Sequence, residues 1–202
     1  MSGRICIVGS GPSLASVNPD DISGLPGVHI IAVNGAAEWL PRFDTWFTLD
    51  PSVKNLQRCA RALPGVEHVI ASPPNFPLPI PPHVKILKRV QGEKYGRAKA
   101  PGGLSDDPTA INTGNSGFGA LNLAYHMRPE KIVLLGIDAN HNLPRVTGGY
   151  SRSLDHLPEL FGTACPQLKA AGIQVVNGSL ISKITCFPRV SPERAMEWLV
   201  NT

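Results

Sequence analysis

Residues 5–14 read Ile5-Cys6-Ile7-Val8-Gly9-Ser10-Gly11-Pro12-Ser13-Leu14. Four consecutive apolar residues, three of them β-branched, describe a strand buried on both faces, as in a parallel sheet. The strand runs straight into glycines, which permit a tight turn and close approach of a ligand to the backbone. Pro12 removes one N–H and fixes φ, and Ser13 can offer a hydroxyl or cap the next turn of chain. A glycine turn after the first strand of an α/β sheet is where a nucleotide commonly sits. The turn is not G-x-G-x-x-G, because Leu14 stands at the third glycine, and no lysine comes after it to make a phosphate loop of the G-K-[ST] kind. Two readings stay open: a nucleotide-binding turn, or a plain tight turn.

Outward from this stretch, strands are expected at 29–33, 45–49, 67–71, 131–135 and 173–176, with an outer strand at 84–90. Helical spacing marks 52–63, the residues after Gly117, 157–171 and 191–199; Pro166 can split the third of these, and Pro192 suits a first helical position. Residues 72–82 hold six prolines and read as an extended connection, and 91–109 read as a polar, glycine-rich loop. Strands alternating with helices predict an α/β fold: a single Rossmann-like domain over 1–202, its sheet mainly parallel with helices on both faces. A Pro/Gly-rich excursion interrupts it at 72–109. The strand ends are small or polar: Gly9-Ser10-Gly11, Asn34, Asp50, Asp138 and Asn177-Gly178-Ser179. An open parallel sheet takes its ligand at that edge.

The chain has 202 residues, 42% of them hydrophobic and 17% charged, which is a globular composition and not a disordered one. The net charge of +4 leans weakly toward an anionic ligand. No apolar run approaches the ~20 residues of a membrane span, and the N-terminus does not read as a secretory signal. Cys6, Cys59, Cys165 and Cys186 show no CxxC spacing, so reduced thiols in a cytoplasmic protein are expected, without a zinc site. Lys85, Lys88, Arg89, Lys94, Arg97 and Lys99 make 85–99 basic: either a solvated face, or a contact for an acceptor, a phosphate or a nucleic acid.

Several residues are candidates for chemistry. Asn34 can tolerate a left-handed turn or read a ribose or base. Asp50 and Asp138 can each cap local structure, hold a ribose hydroxyl or bind a divalent ion. Asn115, Ser116 and Gly117 open a helix, where hydroxyls and N–H groups favour an anion. His141 and His156 flank the glycine-containing loop after Asp138, and an imidazole there can act as a base.

GSGPSL, strand-ending Asn34, Asp50-Pro51, NSG at 115–117 and GID at 136–138, in this order, resemble a superfamily. It contains the bacterial CMP-sialic-acid-dependent sialyltransferases and the MptE-like 6-hydroxymethyl-dihydropterin diphosphokinases. The spacing from NSG to GID and the NGSLI segment at 177–181 are similar as well. The resemblance implies a nucleotide held by Gly9, Ser10, Gly11, Pro12, Ser13, Asn34, Ser116, Asn177 and Ser179. It also implies a lid loop at 139–156, in which Tyr150 meets phosphate and His156 is the general base, as well as a bacterial or bacteriophage-type protein. Ser10 departs from the sialyltransferase pattern, where Asn stands; only one lid tyrosine is present; and Asp50 resembles the diphosphokinases.

The expected function is therefore a nucleotide-dependent transferase: a glycosyl group passes from a CMP-activated or related nucleotide sugar to an acceptor, without a cofactor. The alternatives are a Mg2+-dependent MptE-like diphosphokinase, with Asp50 and Asp138 as metal ligands, and a non-catalytic module that binds nucleotide or nucleic acid. The oligomeric state, monomer or homo-oligomer, is left open.

Overall fold

The computed structural model describes residues 3–50, 52–72, 79–95, 99–151 and 154–201. Eight strands form one sheet, and every pairing in it is parallel: β1 (Arg4–Val8), β2 (His29–Val33), β3 (Thr45–Thr48), β4 (Glu67–Ser72), β5 (Lys85–Val90), β6 (Ala110–Asn112), β7 (Lys131–Leu135) and β8 (Gln174–Asn177). The order is β6-β5-β4-β3-β2-β1-β7-β8. The chain steps outward from β1 to β6, then returns to place β7 on β1's other side. The strand order thus reverses between β1 and β7, and the C-terminal ends of those two strands flank a switch point.

Alternation along the strands builds two cores. Ile5, Ile7, Ile31, Phe47, Val69, Ile132 and Leu134 face one side; Cys6, Val8, Ile30, Trp46, Ile70, Val133 and Leu135 face the other. On the first side lie α3 (Ser116–His126), α4 (Leu157–Gly162) and α5 (Cys165–Ala170). On the second lie α1 (Pro19–Ser23) and α6 (Pro192–Val200). α3 is buried from Ser116 to Tyr125, which is why its sequence shows little amphipathic contrast. α6 is two-faced: Ala195, Met196 and Leu199 pack inward, and the Ser191 hydroxyl accepts from the Arg194 N–H at its start. Pro166 occupies the first turn of α5, so the helix expected over 157–171 is two helices meeting at 163–164.

Two expectations change. The helix expected over 52–63 is only α2 (Val53–Arg58); Val53 and Leu63 are exposed, and the face turned inward carries Asn55. β5 is not outermost, because β6 pairs beyond it; a three-residue strand is too short to announce itself against a polar loop. Residues 34–38 form a 3-10 turn, and α1 carried no periodic signal. The prolines of 73–78, Pro51, Arg97 and Ser153 lie outside the described residues. No helix among those described is long and apolar enough to cross a membrane.

Candidate functional site

The two loops at the switch point are joined backbone to backbone. The Gly9 N–H donates to the Leu135 carbonyl at 2.8 Å and the Gly11 N–H to the Gly136 carbonyl at 2.9 Å. A Cβ on Gly9 would lie 2.5 Å from the Gly136 oxygen, and one on Gly11 would lie 2.6 Å from it and closer still to the Asp138 carboxylate. Gly136 itself has φ +62. The glycines are therefore required by the neighbouring strand's loop, whatever a ligand adds. Ser13 donates its N–H (2.8 Å) and its hydroxyl (2.7 Å) to the two Asp138 oxygens. Asp138 is 3% exposed and caps the 3-10 turn Pro12–Leu14 from across the switch point. Of the two carboxylates that would hold a metal in the diphosphokinase reading, it is spent in this way, while Asp50 is exposed.

Above these loops opens a cleft of about 650 Å³. Of the residues singled out in the sequence, Gly9, Ser10, Gly11, Pro12, Asn34, Asp50, Asn115, Ser116, Gly117, Asp138 and Tyr150 line it. The N-terminus of α3 forms its back. The Asn115 side chain accepts from the Gly117 N–H (2.7 Å), and the Ser116 hydroxyl accepts from the Leu49 N–H (3.2 Å), tying α3 to the end of β3.

Asn34 is left-handed, with φ 54. Its carbonyl accepts from the Trp46 indole, and its Oδ1 from the Thr48 hydroxyl (2.6 Å) and Asn55 Nδ2 (3.4 Å). Asn34 thus makes the left-handed turn that was one of its two readings, and it lines the cleft. Asn55, 2% exposed, also donates to Thr48 Oγ1 (3.2 Å) and the Asp50 carbonyl (2.6 Å), and accepts from Arg58. Arg58 in turn donates to both Glu38 oxygens, at 3.1 and 3.0 Å. Sequence reasoning missed Asn55, Arg58, Lys54 and Arg145, all of which line the cleft. Asn55 and Arg58 lie three apart on α2, but only a short helix packed by its polar face gives that spacing meaning.

From the loop expected as a lid, Arg145, Thr147, Gly148, Tyr150 and Ser151 line the cleft. The loop's turn closes on itself, Arg145 N–H to Gly149 carbonyl (2.8 Å), and the Val146 N–H donates to the Ser10 carbonyl (3.1 Å).

Ser13, His156, Asn177 and Ser179 do not line the cleft. Ser13 is engaged by Asp138. Asn177 and Ser179 are fully buried; Asn177 Nδ2 donates to Ser182 Oγ (2.9 Å), and that hydroxyl donates to the Ile137 carbonyl (3.3 Å). The Lys183 N–H donates to the Asp138 carbonyl (2.9 Å), so the closing segment supports the GID loop from beneath. His156 begins α4 between the cleft residues Leu154 and Leu157, and its Nε2 is buried without a hydrogen-bond partner among the described residues. His141 lies next to the cleft residue Asn140, with its Nδ1 3.8 Å from Asp155 Oδ1.

The basic stretch is dispersed. Lys85 pairs with Glu67 and Lys94 with Glu159. Arg89 turns inward, donating to Thr113 Oγ1 (2.8 Å) and the Leu49 carbonyl (2.9 Å), and burial pulls its pKa down against the opposing charge of Asp50. Among the described residues no group of three His, Cys, Asp or Glu side chains could hold a metal ion.

Fold and cleft together define an α/β domain of Rossmann-like form with its opening at the switch point. Among solved structures the chain is similar to the MAf glycosyltransferase from Magnetospirillum magneticum AMB-1, at 15% identity and a TM-score of 0.62 over 96% of this chain and 34% of that one. The chain spans about a third of that protein's length, and the likeness shows a glycosyltransferase-like fold. No family model matches the chain, and no curated protein matches it in sequence.

Proposed function

We propose that this chain binds a nucleotide sugar and transfers its glycosyl group, as a glycosyltransferase-like enzyme using a CMP-activated or related donor. The observation that carries the reading is the cleft at the switch point, whose volume lies within the range of small-molecule sites and into which Lys54, Arg58 and Arg145 face. The fold's likeness to a glycosyltransferase supports the same reading.

In this reading an acceptor hydroxyl attacks the anomeric carbon, the carbon–oxygen bond to phosphate breaks, and the nucleotide leaves with its phosphate charge. His156 takes the acceptor's proton once movement of its loop brings the buried Nε2 to the cleft, with His141, whose Nδ1 lies 3.8 Å from Asp155 Oδ1, as the competing base. Tyr150 and the cleft cations meet the leaving phosphate, so charge is neutralised by side chains. Asn34, whose Oδ1 is engaged, offers its amide N–H2, and Asp50 accepts from ribose hydroxyls.

A thermal-shift screen across CMP, CDP, CTP, UDP, GDP and ATP tests the reading, followed by assay of the matching nucleotide sugar with and without EDTA. A nucleotide that binds only the fold raises Tm. His156→Ala is expected to lower turnover by ~10²–10⁴-fold while nucleotide affinity is retained. Absence of any nucleotide-dependent shift across the panel would sink the proposal.

A further inference from the structure

The glycine turn, where a phosphate is first expected, has little left to give one. The N–H groups of Gly9 and Gly11 are spent on the β7 loop, that of Ser13 on Asp138, and the Asp138 carboxylate adds negative charge beside it. The positive charge of the cleft stands on the other side, on α2 and the lid.

Arg58 is the centre of that side. Its side chain is 12% exposed, and its guanidinium lies over the bare backbone of Gly35, where a Cβ would meet Arg58 Nη2 at 3.1 Å and the lid hydroxyl Thr147 Oγ1 at 3.6 Å. Arg58 and Thr147 therefore converge on one spot in the cleft. The guanidinium fork is filled by the two oxygens of Glu38, whose side chain is 48% exposed and stands at the end of a single 3-10 turn. A carboxylate gripped by both oxygens has the geometry of a bound oxyanion. Glu38 also lines a second hollow of about 290 Å³ that shares Lys54 and Arg58 with the cleft, which gives the carboxylate room to withdraw.

We infer that Arg58, assisted by Lys54, Arg145 and Thr147, is the site that holds the phosphate oxygens of the ligand, and that Glu38 occupies the fork until they arrive. The inference rests on the nucleotide reading above and deepens it: the phosphates point toward α2 and the lid, away from the Gly9–Ser13 turn. Binding exchanges one oxyanion for another, so the two members of the ion pair act with opposite sign.

Titration calorimetry with inorganic pyrophosphate and with the nucleotide panel, on wild type, Glu38→Gln and Arg58→Gln, tests this. Pyrophosphate is expected to bind wild type, to bind Arg58→Gln at least about tenfold more weakly, and to bind Glu38→Gln about three- to tenfold more tightly. Arg58 also holds Asn55, so circular dichroism must show Arg58→Gln folded. If it is not, Glu38→Gln and Lys54→Gln decide, and a Glu38→Gln affinity equal to or below wild type overturns the inference. Nucleotide binding of equal strength in all three proteins overturns it and leaves the nucleotide reading standing. The expected pyrophosphate pattern without any nucleotide binding keeps the oxyanion site and removes the nucleotide reading. Wild type that binds neither overturns both.

Discussion

Ser13 and Asp138 lie 125 positions apart in sequence and share two hydrogen bonds, so each fixes the other's loop. Asp138→Ala would leave the Ser13 N–H and hydroxyl without their acceptor, a loss of about 1–3 kcal/mol. Urea denaturation should record it, equally with and without magnesium; a stability change that appears only with magnesium would return Asp138 to the role of a metal ligand. Gly11 is subject to a harder constraint. Even Ala places a methyl against the Gly136 oxygen and the Asp138 carboxylate. Overpacking of this kind costs about 1–3 kcal/mol, so Gly11→Ala is expected to lower the denaturation midpoint before any ligand is added. A Gly11→Ala protein as stable as wild type would mean that the β1 and β7 loops separate easily.

At the scale of elements, the proposed oxyanion site moves from the glycine turn to α2 and the loop after Asp138, whose Lys54, Arg58, Arg145 and Thr147 line the cleft. α2 has two turns at most, and its Asn55, which accepts from Arg58, donates to Asn34, Thr48 and Asp50 at the ends of β2 and β3. The lid is fastened to the first loop by the Val146 N–H on the Ser10 carbonyl. Opening the lid must break that bond, so exchange of the Val146 amide reports on the lid directly. Nucleotide is expected to slow that exchange, because a ligand beneath Thr147 and Tyr150 closes the same segment. Identical Val146 exchange with and without a nucleotide that demonstrably binds would uncouple the lid from the site.

For the molecule as a whole, buried His68 and half-buried His29 set a response to acid. Burial lowers the pKa of His68, with His83 adding to the shift, and burial lowers that of His29 against the pull of Asp44 and Glu67. Below the ordinary histidine value near 6.5 the unfolded chain therefore binds more protons than the folded one, and stability falls with pH across that window until the folded-state values are passed. Tm is expected to drop between pH 7 and pH 5, and His68→Gln should flatten that drop. A Tm that holds or rises on acidification through this range would show that other groups outweigh the two imidazoles.

The strands that build the sheet's centre were legible because parallel strands buried on both faces need uninterrupted apolar residues: 5–8, 30–33 and 132–135 allow nothing else. The polar strand ends pointed to the edge where the cleft opens for the same reason, since a sheet covered by helices leaves only its rim for a ligand. Pro166 foretold the break between α4 and α5. Which residues line the cleft and which turn into the protein was decided by tertiary structure. Gly9 and Gly11 answer to a loop more than 120 positions away, Asp138 is consumed by Ser13, and Asn177 and Ser179 are turned into the interior. Arg58 gains its place from a contact with Glu38, 20 positions earlier, across the bare backbone of Gly35. Local sequence carries periodicity and turn chemistry, which determine elements. A hydrogen bond's partner depends on strand order, and strand order is set only when the whole sheet assembles.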